Sequence, residues 1–146
     1  MSGVTLPGTE SAKWAAFEDL TGREIHDLLK LRQDIFILEQ ASLYADIDGK
    51  DPAALHYLIR DTQTGGLLGA IRLFCDAPEK RARIGRGVIA RGARGSGLGR
   101  KMMQAGIEKA GELAPGCEIH VSAQAHLEGF YRSLGFRTVS EIYVED

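Results

Sequence analysis

Between Arg94 and Lys101 the chain reads Arg-Gly-Ser-Gly-Leu-Gly-Arg-Lys, three glycines at alternate positions framed by cations. Glycine is poorly suited to ordering a backbone, so three together mark a place where something must approach the main chain closely. The run that follows, Leu98–Ala114, carries Met102, Met103, Gly106, Ile107, Ala110 and Leu113 on one face. Lys101, Gln104, Glu108, Lys109 and Glu112 fall largely on the other, which is the pattern of a helix. The first amides of a helix have no internal partners, and its dipole adds partial positive charge there. With Arg94, Arg100 and Lys101 around it, the turn is suited to phosphate.

Spacing narrows the choice of phosphate. Gly95, Gly97 and Gly99 give G-x-G-x-G, whereas a dinucleotide turn needs G-x-G-x-x-G and an acidic residue about 20 positions on. The nucleoside-triphosphate loop needs Gly-Lys-Ser or Gly-Lys-Thr, and neither occurs. What fits is [QR]-x-x-G-x-[GA], filled by Arg94, Gly97 and Gly99.

The elements around the turn follow from periodicity. Residues 1–12 read as a loose lead-in and Lys13–Phe17 as a first strand. Thr21-Gly-Arg-Glu24 is a capping box. It opens a helix to about Glu39, with Ile25, Leu28, Leu29, Arg32, Ile35 and Phe36 at helical spacing. An acidic connection follows, holding Asp46, Asp48 and Asp51. Leu55–Arg60 and Leu67–Phe74 alternate as the strands of a hairpin around "DTQTGG", and Arg83–Ile89 is a further strand. Beyond the glycine helix, Cys117–Ala123 reads as a strand, Leu127–Leu134 as a short helix closed by Gly135, and Arg137–Val144 as a last strand. The order β-α-β-β-β-α-β-α-β gives one α/β domain over residues 1–146, with a sheet of mixed direction.

Composition bounds the partners. The chain has 146 residues, 18 basic and 20 acidic, net charge −2, a balance that argues against general nucleic-acid binding. No apolar run approaches the roughly 20 residues that span a bilayer, and the N-terminus lacks the basic start and apolar core of a secretion signal. A cytoplasmic protein is expected. Cys75 and Cys117 lie in apolar runs without metal-ligand spacing, so two buried free thiols and no metal are expected.

The glycine turn has a companion downstream, "AQAHLEGFYRSLGF" over Ala123–Phe136. The pair resembles the GNAT N-acetyltransferase superfamily. With "LRQDIFILEQ", "YADIDGKD", "IGRGVIARGARGSGLG" and "EIYVED", the resemblance extends over Leu31–Asp146 and is closer to the ElaA-type branch. It implies a single-domain α/β (α+β) GNAT fold, a mixed central sheet flanked by helices whose central parallel strands splay apart, with acetyl-coenzyme A (acetyl-CoA) between them.

The resemblance also implies roles. Gly87, Val88 and Ile89 would pair with the donor's pantetheine amides, and its pyrophosphate would rest on Gly95, Ser96, Gly97, Leu98, Gly99 and Arg100, with charge from Arg94 or Arg100. Gln124 stands where relatives often carry an Asn that contacts the cofactor. Tyr131 stands at the position of the general acid that protonates the leaving thiolate. Relatives often place a basic Glu on the central strand, but Arg83–Ile89 has no carboxylate. Glu39 is the first alternative, bordering the acceptor cleft in this fold. His56 and His120 are chemically suited to accept a proton. Asp46 and Asp48 would draw a cationic amine to the acceptor side, although an acidic loop is also an ordinary solvated turn. The acceptor it implies would be a small-molecule or peptide amine, and a homodimer is a general expectation. A non-catalytic acyl-CoA sensor shares the glycine turn but has no need of the Tyr131 hydroxyl.

Overall fold

The computed structural model of the chain describes residues 10–39, 46–95 and 97–121, with Leu38 and Glu39 described by their backbone alone. Within them the strands lie in the sheet in chain order. These are β1 (Glu10–Ala16), β2 (Leu55–Asp61), β3 (Leu67–Asp76), β4 (Arg81–Ile89) and β5 (Glu118–Val121). Neighbours are antiparallel except β4 and β5, which run parallel, so the sheet is mixed as expected. The first strand begins at Glu10 rather than Lys13, because Glu10–Ala12 already pair with Asp61–Ile59. Residues 10–12 therefore belong to the sheet rather than to the lead-in expected over residues 1–12.

Two helices cover the two faces. Helix α1 (Gly22–Arg32) opens on the expected capping box: the Thr21 hydroxyl accepts from the Glu24 amide at 3.1 Å, and the Glu24 carboxylate accepts from the Thr21 amide at 2.8 Å. The helical path continues to Glu39, but over Gln33–Glu39 it widens into a π-helical turn, a form that periodicity cannot signal. Leu28, Leu31, Ile35 and Phe36 pack from this side onto Ala70 and Val88. Helix α2 (Leu98–Leu113) covers the other face, where Leu98, Met102, Met103 and Ala110 meet Tyr57, Ile59, Ile71, Leu73, Ala82 and Ile84. Gly106 permits close approach there, since a Cβ at that position would lie 2.8 Å from Ile84 Cδ1.

One strand is irregular. The pairs Ala70↔Val88 and Arg72↔Gly85 enclose two steps on β3 and three on β4, so β4 carries an extra residue, a β-bulge, at Arg86–Gly87. A second correction concerns the thiols. Cys75, near the end of β3, is exposed, and only Cys117 is half-buried, its Sγ donating to the Ala110 carbonyl at 3.7 Å. The alternation of β3 loses its cover at that end, so an apolar neighbourhood in the sequence does not become a buried one.

Candidate active site

The end of β4 and the start of α2 form one continuous surface. Along β3, β4 is paired through Ile89, but β5 accompanies it only over Arg81–Ile84 among the described residues. The β5-facing edge of Gly87, Val88 and Ile89 therefore carries no ladder partner among them. Val88 is buried against α1, which fixes the strand, while Gly87 is exposed. Arg91–Ala93 then makes a single 3-10 turn and delivers the chain to Arg94.

At the turn, Gly95 and Gly97 have φ of +82° and +81°, a region that side chains rarely adopt, and a Cβ at either would meet nothing within 4 Å. The space above the turn is open, and the glycines are needed for conformation rather than for crowding inside the protein. Gly97 caps α2 with no side-chain bond, and its carbonyl accepts the first helical bond, from the Lys101 amide at 3.1 Å. The amides of Leu98 and Gly99 precede that bond, at the positive end of the helix. Leu98 is buried and anchors this end in the core, while Arg100 is exposed. Lys101 turns away instead, in an ion pair with Glu10 on β1, so its charge is not at the turn as the sequence suggested. Ser96, Gln124 and Tyr131 lie outside the described residues.

The acidic connection is not a solvated loop. Asp46, Asp48 and Asp51 face three buried arginines, Arg32, Arg72 and Arg86. Arg32 bonds Asp46 through Nε at 3.0 Å and Asp51 through Nη1 at 2.9 Å. Arg72 bonds Asp48 through Nη2 at 2.6 Å and Asp51 through Nη1 at 3.0 Å. Arg86 reaches Asp48 through Nη2 at 3.2 Å and the Asp46 carbonyl at 3.3 Å. Hydrogen bonds from Arg72 hold the Asp48 carboxyl well below the usual carboxylate range, against the effect of burial. Burial raises Asp51, but Arg32 and Arg72 outweigh it and the net shift is downward. Burial also lowers Arg86, and the neighbouring Arg72 cation adds to this. Three cations meet three anions, so Asp46 and Asp48 are already compensated within the protein rather than presented to an incoming amine.

His56 belongs to the same cluster. It is fully buried, and its Nε2 lies 2.9 Å from the Asp51 carbonyl. Burial lowers its pKa, so the ring is held neutral, as a structural residue would be. Glu39 ends the π-helical turn, and its side chain is outside the described ones.

His120 lies elsewhere. On the α1 side of the sheet, toward the N-terminal ends of β4 and β5, a cleft of about 420 Å³ opens. Direct cross-strand partners share a face, and Phe74, Arg83 and His120 form one row across β3, β4 and β5. Asp76, Arg81 and Glu118 form the next row outward. His120 Nε2 is 2.6 Å from Glu118 Oε1, and both residues line the cleft.

A family model described as an acetyltransferase (GNAT) domain matches residues 28–146. The chain belongs to the GNAT acetyltransferase family. It is 37% identical over 131 residues to a UPF0039 protein of Synechocystis, covering 89% of this chain and 84% of that one. To the protein ElaA of Escherichia coli it is 33% identical over 129 residues, covering 88% and 84%. The crystal structure of Escherichia coli ElaA superposes with a TM-score of 0.84 at 30% identity, over 94% of this chain and 93% of that one. That of an acyl-CoA N-acyltransferase from Pseudomonas aeruginosa gives 0.81 at 34% identity, over 92% and 93%. This is a GNAT α/β fold of the ElaA-like branch and an acyltransferase by family.

In this GNAT domain the residues that sequence reasoning missed are the arginines. Arg32 had been counted into the apolar stripe of α1, and Arg72 and Arg86 sit inside apolar strands. Three cations at core positions and three acids in one connection were the available signal. No helix among the described residues is long and apolar enough to cross a membrane.

Proposed function

We propose that this chain is an acetyl-CoA-dependent N-acetyltransferase of the cytoplasm, acting on the primary amine of a small molecule or peptide by direct attack. The observation that carries it is the glycine turn of a GNAT chain: Gly95 and Gly97 take left-handed φ with open space around them, and Gly97 caps the start of α2 directly after strand β4 and its short 3-10 turn. The Gly87–Ile89 edge offers alternating donors and acceptors to an amide-bearing arm, and Gly95, Ser96, Gly97, Leu98, Gly99 and Arg100 offer an anion seat, with Arg94 beside it. Gln124 contributes a side-chain contact to the same ligand.

The bound donor supplies a thioester carbonyl. A neutral amine attacks it, the carbon–nitrogen bond forms and the carbon–sulfur bond breaks. Tyr131 gives its phenolic proton to the departing sulfur, and a base takes the proton from the amine. In this reading His120, paired with Glu118 and lining a cleft beside the parallel pair, takes that proton. Glu39 is the alternative from the α1 side. His56 is closed off in the core, so no proton transfer to substrate is assigned to it.

The test is calorimetric titration with coenzyme A, ATP and NAD, followed by thiol release from acetyl-CoA across amino acids, polyamines, aminoglycosides and peptides. Binding of coenzyme A alone, with release stimulated by an amine, is expected. Tyr131→Phe should keep coenzyme A affinity and lower turnover by about a hundredfold. Binding without amine-stimulated release would instead support a sensor, and competition by ATP would remove the donor reading.

A further inference from the structure

Two described non-glycine residues have φ in the left-handed region, Lys80 at 52° and Arg86 at 51°. Lys80 sits in the exposed turn between β3 and β4, where such a conformation is ordinary. Arg86 sits inside β4, 6% exposed, on the bulge. A left-handed arginine is disfavoured by its Cβ, and it persists only where the surroundings over-determine it.

The surroundings are explicit. Arg86 Nε lies 3.3 Å from Asp46 Oδ1, and Nη2 donates to the Asp46 carbonyl at 3.3 Å and to Asp48 Oδ2 at 3.2 Å. Both aspartates are also paired with other arginines, Asp46 with Arg32 and Asp48 with Arg72. What the bulge controls lies immediately downstream. Side chains alternate along a strand, so removing the extra residue would slip Gly87, Val88 and Ile89 by one and turn each to the opposite face. Val88 would leave its place among Leu28, Leu31 and Ala70, and the Gly87–Ile89 edge would present its donors and acceptors out of phase.

We propose that Arg86 is a positioning residue for the acyl-donor site: clamped by Asp46 and Asp48, it holds the β4 bulge, and the bulge sets the phase in which the Gly87–Ile89 edge meets the donor's arm. The inference rests on the donor reading of that edge. It makes the α1–β2 connection and the donor strand one mechanical unit, joined through this guanidinium.

The discriminating experiment compares Arg86→Ala with Arg86→Gly by coenzyme A titration and amide hydrogen exchange over Gly85–Ile89. Both variants lose the guanidinium, but only alanine keeps the Cβ that makes φ of 51° strained. Arg86→Ala is expected to weaken coenzyme A binding about tenfold and to speed exchange, while Arg86→Gly stays within about threefold of wild type. A merely structural ion pair predicts the opposite order or none, because glycine is the worse residue in a strand. Equal affinities and equal exchange in the two variants would overturn the proposal. Arg60→Met, whose ion pair with Asp27 lies outside this cluster, should leave coenzyme A affinity unchanged. If Arg86→Ala does not fold, Arg86→Gln and Arg86→Asn replace the pair: Asn tolerates the left-handed region, so the Asn variant should bind the tighter. If wild-type protein binds no coenzyme A, the donor reading fails by itself. Exchange then tests the clamp: protection lost in alanine but kept in glycine upholds the Arg86–bulge linkage, and equal protection removes it.

Discussion

The guanidinium of Arg32 grips the carboxylate of Asp51 with both terminal nitrogens, Nη1 to Oδ1 at 2.9 Å and Nη2 to Oδ2 at 3.2 Å. One end of this pair closes α1 and the other opens the lead into β2, so the contact ties the helix layer to the sheet. Removing one partner of a buried pair leaves the other charge uncompensated. Arg32→Met should therefore destabilise the protein by about 3–5 kcal/mol in urea unfolding. Adding Asp51→Asn should recover part of that loss, because Arg72 and Arg86 then face two carboxylates, Asp46 and Asp48, instead of three. A cluster that tolerated Arg32→Met alone would contribute little to the fold.

The same cluster fixes the response to acid. The carboxyls of Asp48 and Asp51 are held low in the fold, so on acidification the unfolded chain takes up their protons first. Their stabilisation is present above about pH 4 and is lost as pH falls through the depressed folded values. His56 acts in the same direction. Its folded pKa is lowered, so the unfolded ring protonates first, near about pH 6.5, and stability declines below that. Melting temperature should fall steadily from pH 7 to pH 4, and His56→Gln should flatten the upper part of that decline.

At the head of α2 the prediction is about conformation. Gly97→Ala has room for its methyl but must hold φ near +81°, at a cost of about 1–2 kcal/mol. It should lower coenzyme A affinity several-fold. Gly97→Glu adds bulk and negative charge at the anion seat and should abolish binding in the same titration; normal affinity would mean that the pyrophosphate rests elsewhere.

The two histidines should separate cleanly. His120→Gln should lower turnover at least tenfold while keeping coenzyme A affinity and melting temperature. His56→Gln should do the reverse, losing stability from the core at little change in turnover per folded molecule. If His120→Gln keeps full activity, the base is to be sought at Glu39.

Much of this molecule was legible along the chain because local rules generate it. The Thr21–Glu24 box, the Asp61–Gly66 hairpin turn, the alternating strands and the left-handed glycines before Leu98 each depend on residues close in sequence. Their order was enough to place the glycine turn at the end of a strand. The π-helical turn after Arg32 and the bulge at Arg86 had no such signal, since each is one extra residue in a repeat whose period is otherwise intact. The acids at Asp46, Asp48 and Asp51 could be read either as bait for an amine or as a solvated loop, and they are neither. Their meaning depended on Arg32, Arg72 and Arg86, which lie 14 to 40 residues away from the aspartates they contact. Sequence by itself determined which residues could carry charge and which backbone could bend. Only the tertiary structure decided which charges cancel, because Coulomb pairing depends on distance and burial, and packing α1 and the sheet together set both.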